Sequence, residues 1–239
     1  MKNVLITGGS RGLGLATAKK FLSSGWKVYT VSRSITPSVE ELQQNDNFKH
    51  KCFDLSRIDD IQDEVFKSFV ANKIPLHAVV HNAAIAYDDI VTNARYSSIK
   101  NMYDINVFAP MMINKYAIRN MLYNQLQGSV VSVSSISSST GYKGLSMYAS
   151  TKGALEAHSK NLAREWGVRG IRFNCVVPGF MQTEMSNGLS VEQKNRIYNR
   201  TCLKKETSAD SVAGTIFFLC SEDAETITGQ KIYVDSGTI

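Results

Sequence analysis

Tyr148 and Lys152 stand four residues apart in Tyr-Ala-Ser-Thr-Lys, a spacing that puts both side chains on one face of a helix. A phenol is a poor acid–base group at its ordinary pKa of about 10. A neighbouring ammonium stabilises the phenolate and should lower that value. Tyr148 could then give a proton to a forming alkoxide, or take one from an alcohol, near neutral pH. Alone the pair means little, because Tyr and Lys at this spacing occur on many helices as core and surface residues. The rest of the chain gives it weight.

A strand-like Asn3–Thr7 runs into Thr7-Gly8-Gly9-Ser10-Arg11-Gly12-Leu13-Gly14, and a helical pattern begins at once. A glycine-rich turn between strand and helix lets backbone N–H groups approach a pyrophosphate, and the helix N-terminus adds positive potential. Gly8, Ser10, Arg11, Gly12, Leu13 and Gly14 are therefore expected to cradle a dinucleotide. Their order is T-G-x-x-x-G-x-G rather than the ordinary G-x-G-x-x-G. The second strand should end beside the adenosine ribose, at Ser32-Arg33-Ser34, where no acid is present to hold a 2′-hydroxyl. Arg11 and Arg33 can grip a 2′-phosphate through forked, charge-assisted hydrogen bonds, so NADP(H) is expected rather than NAD(H). Its positive nicotinamide, when oxidised, would join Lys152 in lowering the Tyr148 pKa. Two readings stand for Asp54, which with Leu55 closes the third strand. Its carboxylate accepts from the adenine amino group, or it caps the next helix.

These residues need a scaffold. Asn3–Thr7, Lys27–Ser32, His50–Phe53, His77–Asn82, Gly128–Ser134, Arg172–Val177 and Lys231–Val234 are rich in Val and Ile, several of them apolar on consecutive positions. That pattern marks strands buried on both faces, as in a parallel sheet. Helical patterns lie between them at Leu13–Ser24, Arg57–Asn72, Tyr96–Tyr123, Tyr148–Trp166 and Ala209–Cys220. The alternation predicts an α/β fold over residues 1–239. It is a single Rossmann-type domain, a doubly wound seven-stranded parallel sheet flanked by helices. Residues 182–206 break the rhythm, as a binding loop or as a helical excursion on the surface.

A chain of 239 residues, 43% hydrophobic and 20% charged, suits one globular domain rather than a disordered chain. The net charge is +6, but Lys and Arg are scattered, so no nucleic-acid partner is expected. Cys52, Cys175, Cys202 and Cys220 show neither CxxC pairs nor metal-ligand spacing. Cys175 and Cys220, set in apolar runs, read as buried thiols. No apolar run approaches the ~18 residues of a membrane span. No secretory signal pattern opens the chain, so a cytoplasmic protein is expected.

With these pieces assembled, the chain resembles the short-chain dehydrogenase/reductase family over essentially its whole length. The matches fall in family order: the turn Thr7–Gly14, then His81-Asn82-Ala83-Ala84, Asn106, Ser135 thirteen residues before Tyr148, and Lys152. Pro178-Gly179 with Thr183, and Thr228-Gly229 followed by Asp235-Ser236-Gly237, complete them. The resemblance implies that Ser135 hydrogen-bonds the substrate oxygen, Tyr148 is the acid/base, and Lys152 tunes it and holds the nicotinamide ribose. It implies that Asn106 holds a water linking Lys152 to solvent. Asn82, Ala83 and Ala84 would line the cofactor, and Thr183 and the backbone after Pro178-Gly179 would hold the carboxamide. Ser134, Ser137 and Ser138 are alternatives to Ser135 that only the family spacing sets aside. Two departures occur. His81-Asn82-Ala83-Ala84 replaces Asn-Asn-Ala-Gly, with His81 read as a structural strand-end residue. Asp-Ser-Gly replaces Asp-Gly-Gly, with an expected effect only at a subunit edge.

Within the family the chain is most similar to 3-oxoacyl-(acyl-carrier-protein) reductases, through Gly9-Ser10-Arg11-Gly12, Ala163-Arg164-Glu165, Arg169-Gly170-Ile171 and Ile227-Thr228-Gly229-Gln230. The resemblance implies NADPH-dependent reduction of a small-molecule or carrier-bound ketone, first a 3-oxoacyl thioester of the fatty-acid type, with an acyl carrier protein as partner. Arg169 falls where such enzymes meet an acidic carrier, but Leu126-Gln127-Gly128 lacks the second arginine. Dehydrogenation of a sugar or secondary-metabolite alcohol is the alternative. A catalytically silent NADP(H)-binding regulatory protein is the alternative from another class. The family's homotetramer, built on the helices at 96–123 and 148–166 and the last strand, is the implied assembly. Ile85-Ala86-Tyr87, residues 137–145 and 182–206 would line the substrate, with Tyr142 and Met185 lending apolar surface.

Overall fold

Consecutive apolar residues along a strand send alternate side chains to opposite faces, so a sheet made of them must be covered on both sides. The computed structural model describes residues 1–71, 73–182 and 190–238. Its strands are β1 (Asn3–Thr7), β2 (Lys27–Ser32), β3 (Phe48–Cys52), β4 (Ala78–His81), β5 (Ser129–Val133), β6 (Arg172–Pro178) and β7 (Lys231–Val234). They form one sheet in the order β3-β2-β1-β4-β5-β6-β7. Every neighbouring pair runs parallel. The helices are α1 (Gly12–Ser23), α2 (Pro37–Leu42), α3 (Tyr96–Tyr103), α4 (Ala109–Tyr123), α5 (Ser146–Trp166), α6 (Val191–Tyr198) and α7 (Ala209–Cys220). On one face Leu5, Val79, Val130 and Phe173 pack with Ile113, Ala117 and Leu162 from α4 and α5. On the other Val4, Ile6, Val131 and Val176 pack with Phe21, Val212 and Ile216 from α1 and α7. Each such side chain contributes roughly 1.5–3 kcal/mol by burial, which outweighs the weaker pairing of parallel strands.

Three elements differ from expectation. The stretch Arg57–Asn72 is not a regular helix: a 3₁₀ turn at Ile58–Asp60 leads into a π turn at Gln62–Lys67. There Ser68 N–H donates to the Asp63 carbonyl and Val70 N–H to that of Val65. The wider turn still buries Ile61, Val65 and Phe66; Asn72 lies outside the described residues. The expected helix Tyr96–Tyr123 is α3 and α4 joined by a π turn at Asp104–Phe108. Pro110 has no N–H, so the Asn106 carbonyl lacks its α-helical donor four residues on. Helix α2 was not expected, and α6 falls where a helical excursion stood as one of two readings. Thr36 caps α2 ahead of Pro37, and Ser190 with Gln193 forms a capping box on α6. Alpha6 buries none of its residues, so the described part of 182–206 is the surface excursion.

The sheet order reverses between β1 and β4, and the loops leaving their C-terminal ends diverge there, opening a crevice.

Candidate active site

At the end of β1 the chain turns through Gly8 at φ +71°. The Gly8 N–H donates to the Val31 carbonyl at 2.7 Å. From β4, Asn82 Nδ2 donates to the carbonyls of Thr7 and Gly8, both at 3.0 Å. The N–H groups of Asn82 and Ala83 donate to Thr7 Oγ1, both at 3.1 Å. The two loops are thus tied together across the point where the sheet reverses. A Cβ on Gly14 would stand 2.0 Å from the Gly8 oxygen and 2.5 Å from Asn82 Nδ2, so position 14 has no room for a side chain. Gly12 differs: at φ +54° it has no atom within 4 Å of where a Cβ would stand. No side chain caps the first turn of α1, and no acid stands in it. Uncapped N–H groups at the positive end of a 12-residue helix, under open space, fit a pyrophosphate. Ser10 is buried, its carbonyl accepting from Thr36 Oγ1 at 2.9 Å. The Leu13 side chain belongs to the core.

Arg11, in the glycine turn, and Arg33, just past β2, are both exposed. Between them the end of β2 is organised by hydroxyls and an imidazole rather than an acid. Ser32 Oγ donates to the Ser34 carbonyl at 3.0 Å, and the His50 ring meets Thr30 Oγ1 at 2.8 Å. Asp54 does not cap a helix. Its Oδ1 accepts from Ser56 N–H at 2.9 Å in a local Asx turn, and the next helical turn is capped at Arg57. Leu55 buries its side chain in the core.

Helix α5 carries Tyr148 and Lys152. Lys152 Nζ donates to the Val133 carbonyl at 2.8 Å and lies 5.6 Å from the Tyr148 ring centre. Ser135 stands just past β5, close enough to Tyr148 to act on its phenol. Ser135 Oγ accepts from Ser137 N–H at 3.2 Å and from Ser137 Oγ at 3.0 Å, which leaves its own proton for Tyr148 or a substrate. Burial pushes the Tyr148 phenol up to about 12, the nearby Asp88 carboxylate adds to this, and Ser135 opposes it only in part. Lys152 is moved the other way, down to about 8, because burial disfavours its ammonium too; Cys175 and Glu156 oppose that shift. Asn106 is buried with its side chain committed. Its Oδ1 accepts from Ile85 N–H at 2.9 Å, and its Nδ2 donates to the Ile85 carbonyl at 2.9 Å and to Thr151 Oγ1 at 3.1 Å.

A family model described as enoyl-(acyl carrier protein) reductase matches residues 8–238. The chain belongs to the short-chain dehydrogenase/reductase family. The 3-oxoacyl-(acyl-carrier-protein) reductase FabG of Chlamydia muridarum is 31% identical over 241 residues, 99% of this chain and 96% of that protein. An L-xylulose reductase of Caenorhabditis elegans is 26% identical over 238 residues, 99% of this chain and 95% of that one. The solved structure of a 4-hydroxyisoleucine dehydrogenase complexed with NADH superposes with a TM-score of 0.93 at 23% identity, covering 100% of this chain and 98% of its own. At that identity the likeness is one of fold.

In this short-chain dehydrogenase/reductase His81 is fully buried, its Nε2 2.7 Å from Asn114 Oδ1, and burial pushes it down to about 4. It is a neutral strand-end residue, as read from the sequence. At the end of β6, a Cβ on Gly179 would meet the Asp235 Cα and Thr207 Oγ1, both at 2.6 Å, and its N–H donates to Val234. Pro178-Gly179 therefore packs β6 against the C-terminal turn. Thr183 and Met185 lie outside the described residues. The Asp235-Ser236-Gly237 variation lies in a tight C-terminal turn. Ser236 sits at φ +57°, a left-handed conformation that glycine adopts without strain, while Asp235 accepts from the N–H groups of Gly237 and Thr238. Thr7 and Thr151 are positioning residues that the motifs alone did not single out; the signal for Thr7 was a hydroxyl directly before the first glycine. Buried Cys175 and Cys220 are pushed up to about 12 and stay thiols. Among the described residues no cluster could hold a metal ion, and no helix is long and apolar enough to cross a membrane.

Proposed function

We propose that this protein is an NADP(H)-dependent ketone reductase acting on a 3-oxoacyl thioester. The observation that carries the reading is Lys152, anchored on the Val133 carbonyl and 5.6 Å from the Tyr148 ring centre, with Ser135 just past β5 beside them, at the same edge of the sheet as the glycine turn. The first turn of α1 and Gly12 would hold the pyrophosphate, and Arg11 and Arg33 a 2′-phosphate. Bound NADPH supplies the hydride. Ser135 Oγ–H donates to the carbonyl oxygen and steadies the negative charge that grows there. Tyr148, held neutral with a pKa of about 12, gives that oxygen its proton. Lys152, anchored on Val133, stabilises the phenolate left behind, and a pKa of about 8 keeps it largely charged at neutral pH. Arg169, exposed beyond α5, is the basic group offered to an acyl carrier protein. A cytoplasmic homotetramer completes the proposal.

A second reading, turnover of a sugar ketone or alcohol, is favoured by one detail. Where carrier recognition calls for an arginine near 126–128, Gln127 instead packs against Gly170, its Cγ 2.6 Å from where a Cβ would stand. The test follows loss of NADPH or NADH absorbance with acetoacetyl thioester, a decalone and L-xylulose. The proposal expects NADPH oxidation with the thioester. Turnover of L-xylulose alone moves the assignment to sugars, and preference for NADH overturns the role of Arg33. Tight NADPH binding without turnover of any substrate favours the regulatory reading.

A further inference from the structure

Four residues beyond Lys152, and so on the same face of α5, Glu156 holds a carboxylate whose side chain is only 11% exposed. One oxygen accepts from Ser134 Oγ at 2.5 Å and lies 2.6 Å from Ser138 Oγ. The other accepts from Lys231 Nζ, on β7, at 3.1 Å. Ser134 and Ser138 bracket Ser135. The turn between them is closed by Ser138 N–H donating to the Ser135 carbonyl at 3.0 Å. One residue earlier, Lys152 grips the Val133 carbonyl. Two residues one helical turn apart on α5 thus stitch successive positions of the β5 end, Val133 and Ser134, to the catalytic helix.

On the reading that Ser135, Tyr148 and Lys152 carry the reaction, we propose that Glu156 is a positioning residue with two tasks: it sets the 134–138 turn so that Ser135 meets Tyr148, and its negative charge keeps Lys152 an ammonium. The titratable groups around Lys152 are Tyr148 and Glu156 on α5 and Cys175 on β6, while Lys231 reaches Glu156 from β7. Cys175 stays a neutral thiol, pushed up to about 12, so Glu156 is the full negative charge among them. Burial already brings Lys152 down to about 8, and Glu156 opposes that fall. Without its charge the ammonium is lost at a lower pH. A neutral amide would still accept both hydroxyls, so the two tasks can be separated.

Glu156→Gln retains the one oxygen that the Ser134 and Ser138 hydroxyls meet, turns the oxygen facing Lys231 into a donor, and removes the charge. Its kcat at pH 6 should match the wild type, and the alkaline fall of kcat should move to lower pH by about one unit. Glu156→Ala removes the anchors as well, and kcat should drop by on the order of tenfold to a hundredfold across the whole pH range, with the NADPH dissociation constant unchanged. Should the alanine variant not fold, Ser138→Ala removes one anchor, and a smaller loss of kcat is expected. A readout without turnover is the tyrosinate absorbance of Tyr148, taken as the difference from Tyr148→Phe, in protein loaded with NADP⁺. Glu156→Gln should move that titration to higher pH. A kcat profile and tyrosinate titration unmoved in Glu156→Gln overturn the electrostatic task. Wild-type kcat at pH 6 in Glu156→Ala, or in Ser138→Ala, overturns the positioning task. Failure of the underlying reading looks different: Tyr148→Phe would be as active as the wild type, or no ketone would turn over while the tyrosinate titration still responds.

Discussion

At the glycine turn, the groups presented to a ligand are main-chain N–H groups, held in place by Thr7 and Asn82. Along α5 they are side chains, and burial drives their ionisation in opposite directions, Tyr148 up to about 12 and Lys152 down to about 8. The first region depends on the absence of atoms: a methyl at position 14 has nowhere to go. The second depends on atoms being present and dry. A backbone cradle therefore fails sterically, together with the local fold, whereas a side-chain wall can lose its chemistry and keep its shape.

That contrast can be broken by experiment. Tyr148→Phe removes one oxygen from the wall. It should lower kcat by roughly a hundredfold to ten-thousandfold while the NADPH dissociation constant, read by fluorescence, stays put. Gly14→Ala should do the reverse. Forcing a Cβ against the Gly8 oxygen costs about 1–3 kcal/mol of stability, seen as a lower urea midpoint, and weakens NADPH binding. If Tyr148→Phe lost the cofactor as well, or Gly14→Ala kept both stability and binding, the two regions would not be separable. The smallest effect belongs to Arg33, an exposed side chain on the cradle's rim. Arg33→Ala should weaken NADPH binding by on the order of tenfold and leave NADH binding alone, read from the two dissociation constants.

The same contrast governs what could be read from the chain beforehand. Glycines at 8, 12 and 14 after a strand disclose a cradle, because backbone geometry is written in the residues that lack side chains. Runs of Val and Ile likewise disclosed the central strands and their two-faced burial, while the edge strands β3 and β7 are only partly buried. The burial that pushes the Tyr148 phenol up was not legible in its spacing from Lys152. Burial is a property of the packed molecule, and spacing shows only that an ammonium stands nearby. Asp54 was weighed as a helix cap because a helix was expected at 57; the 3₁₀ turn that forms there leaves its carboxylate serving Ser56. Helix α6 stood only as one of two readings of 182–206, and the π turn around Asn106 was missed, for a related reason. The first is nearly all polar, so no apolar stripe marks it. The second owes its shape to Pro110, a single residue inside a periodic pattern that otherwise reads as one helix.

The bonds between Thr7 and Asn82 join positions 75 apart in the chain, as does the bond between Glu156 and Lys231. A ribosome delivers about 5–20 residues per second, so each junction waits roughly 4–15 s between the appearance of its first partner and its second. During the first wait β1 has an open edge where β4 will lie, and the glycine turn has no strut. During the second, the catalytic helix exists while the strand that anchors its carboxylate is still being made. A nascent chain of this protein passes through two long intervals in which half of its future site is exposed, and these are the stages at which a chaperone or a protease would find it.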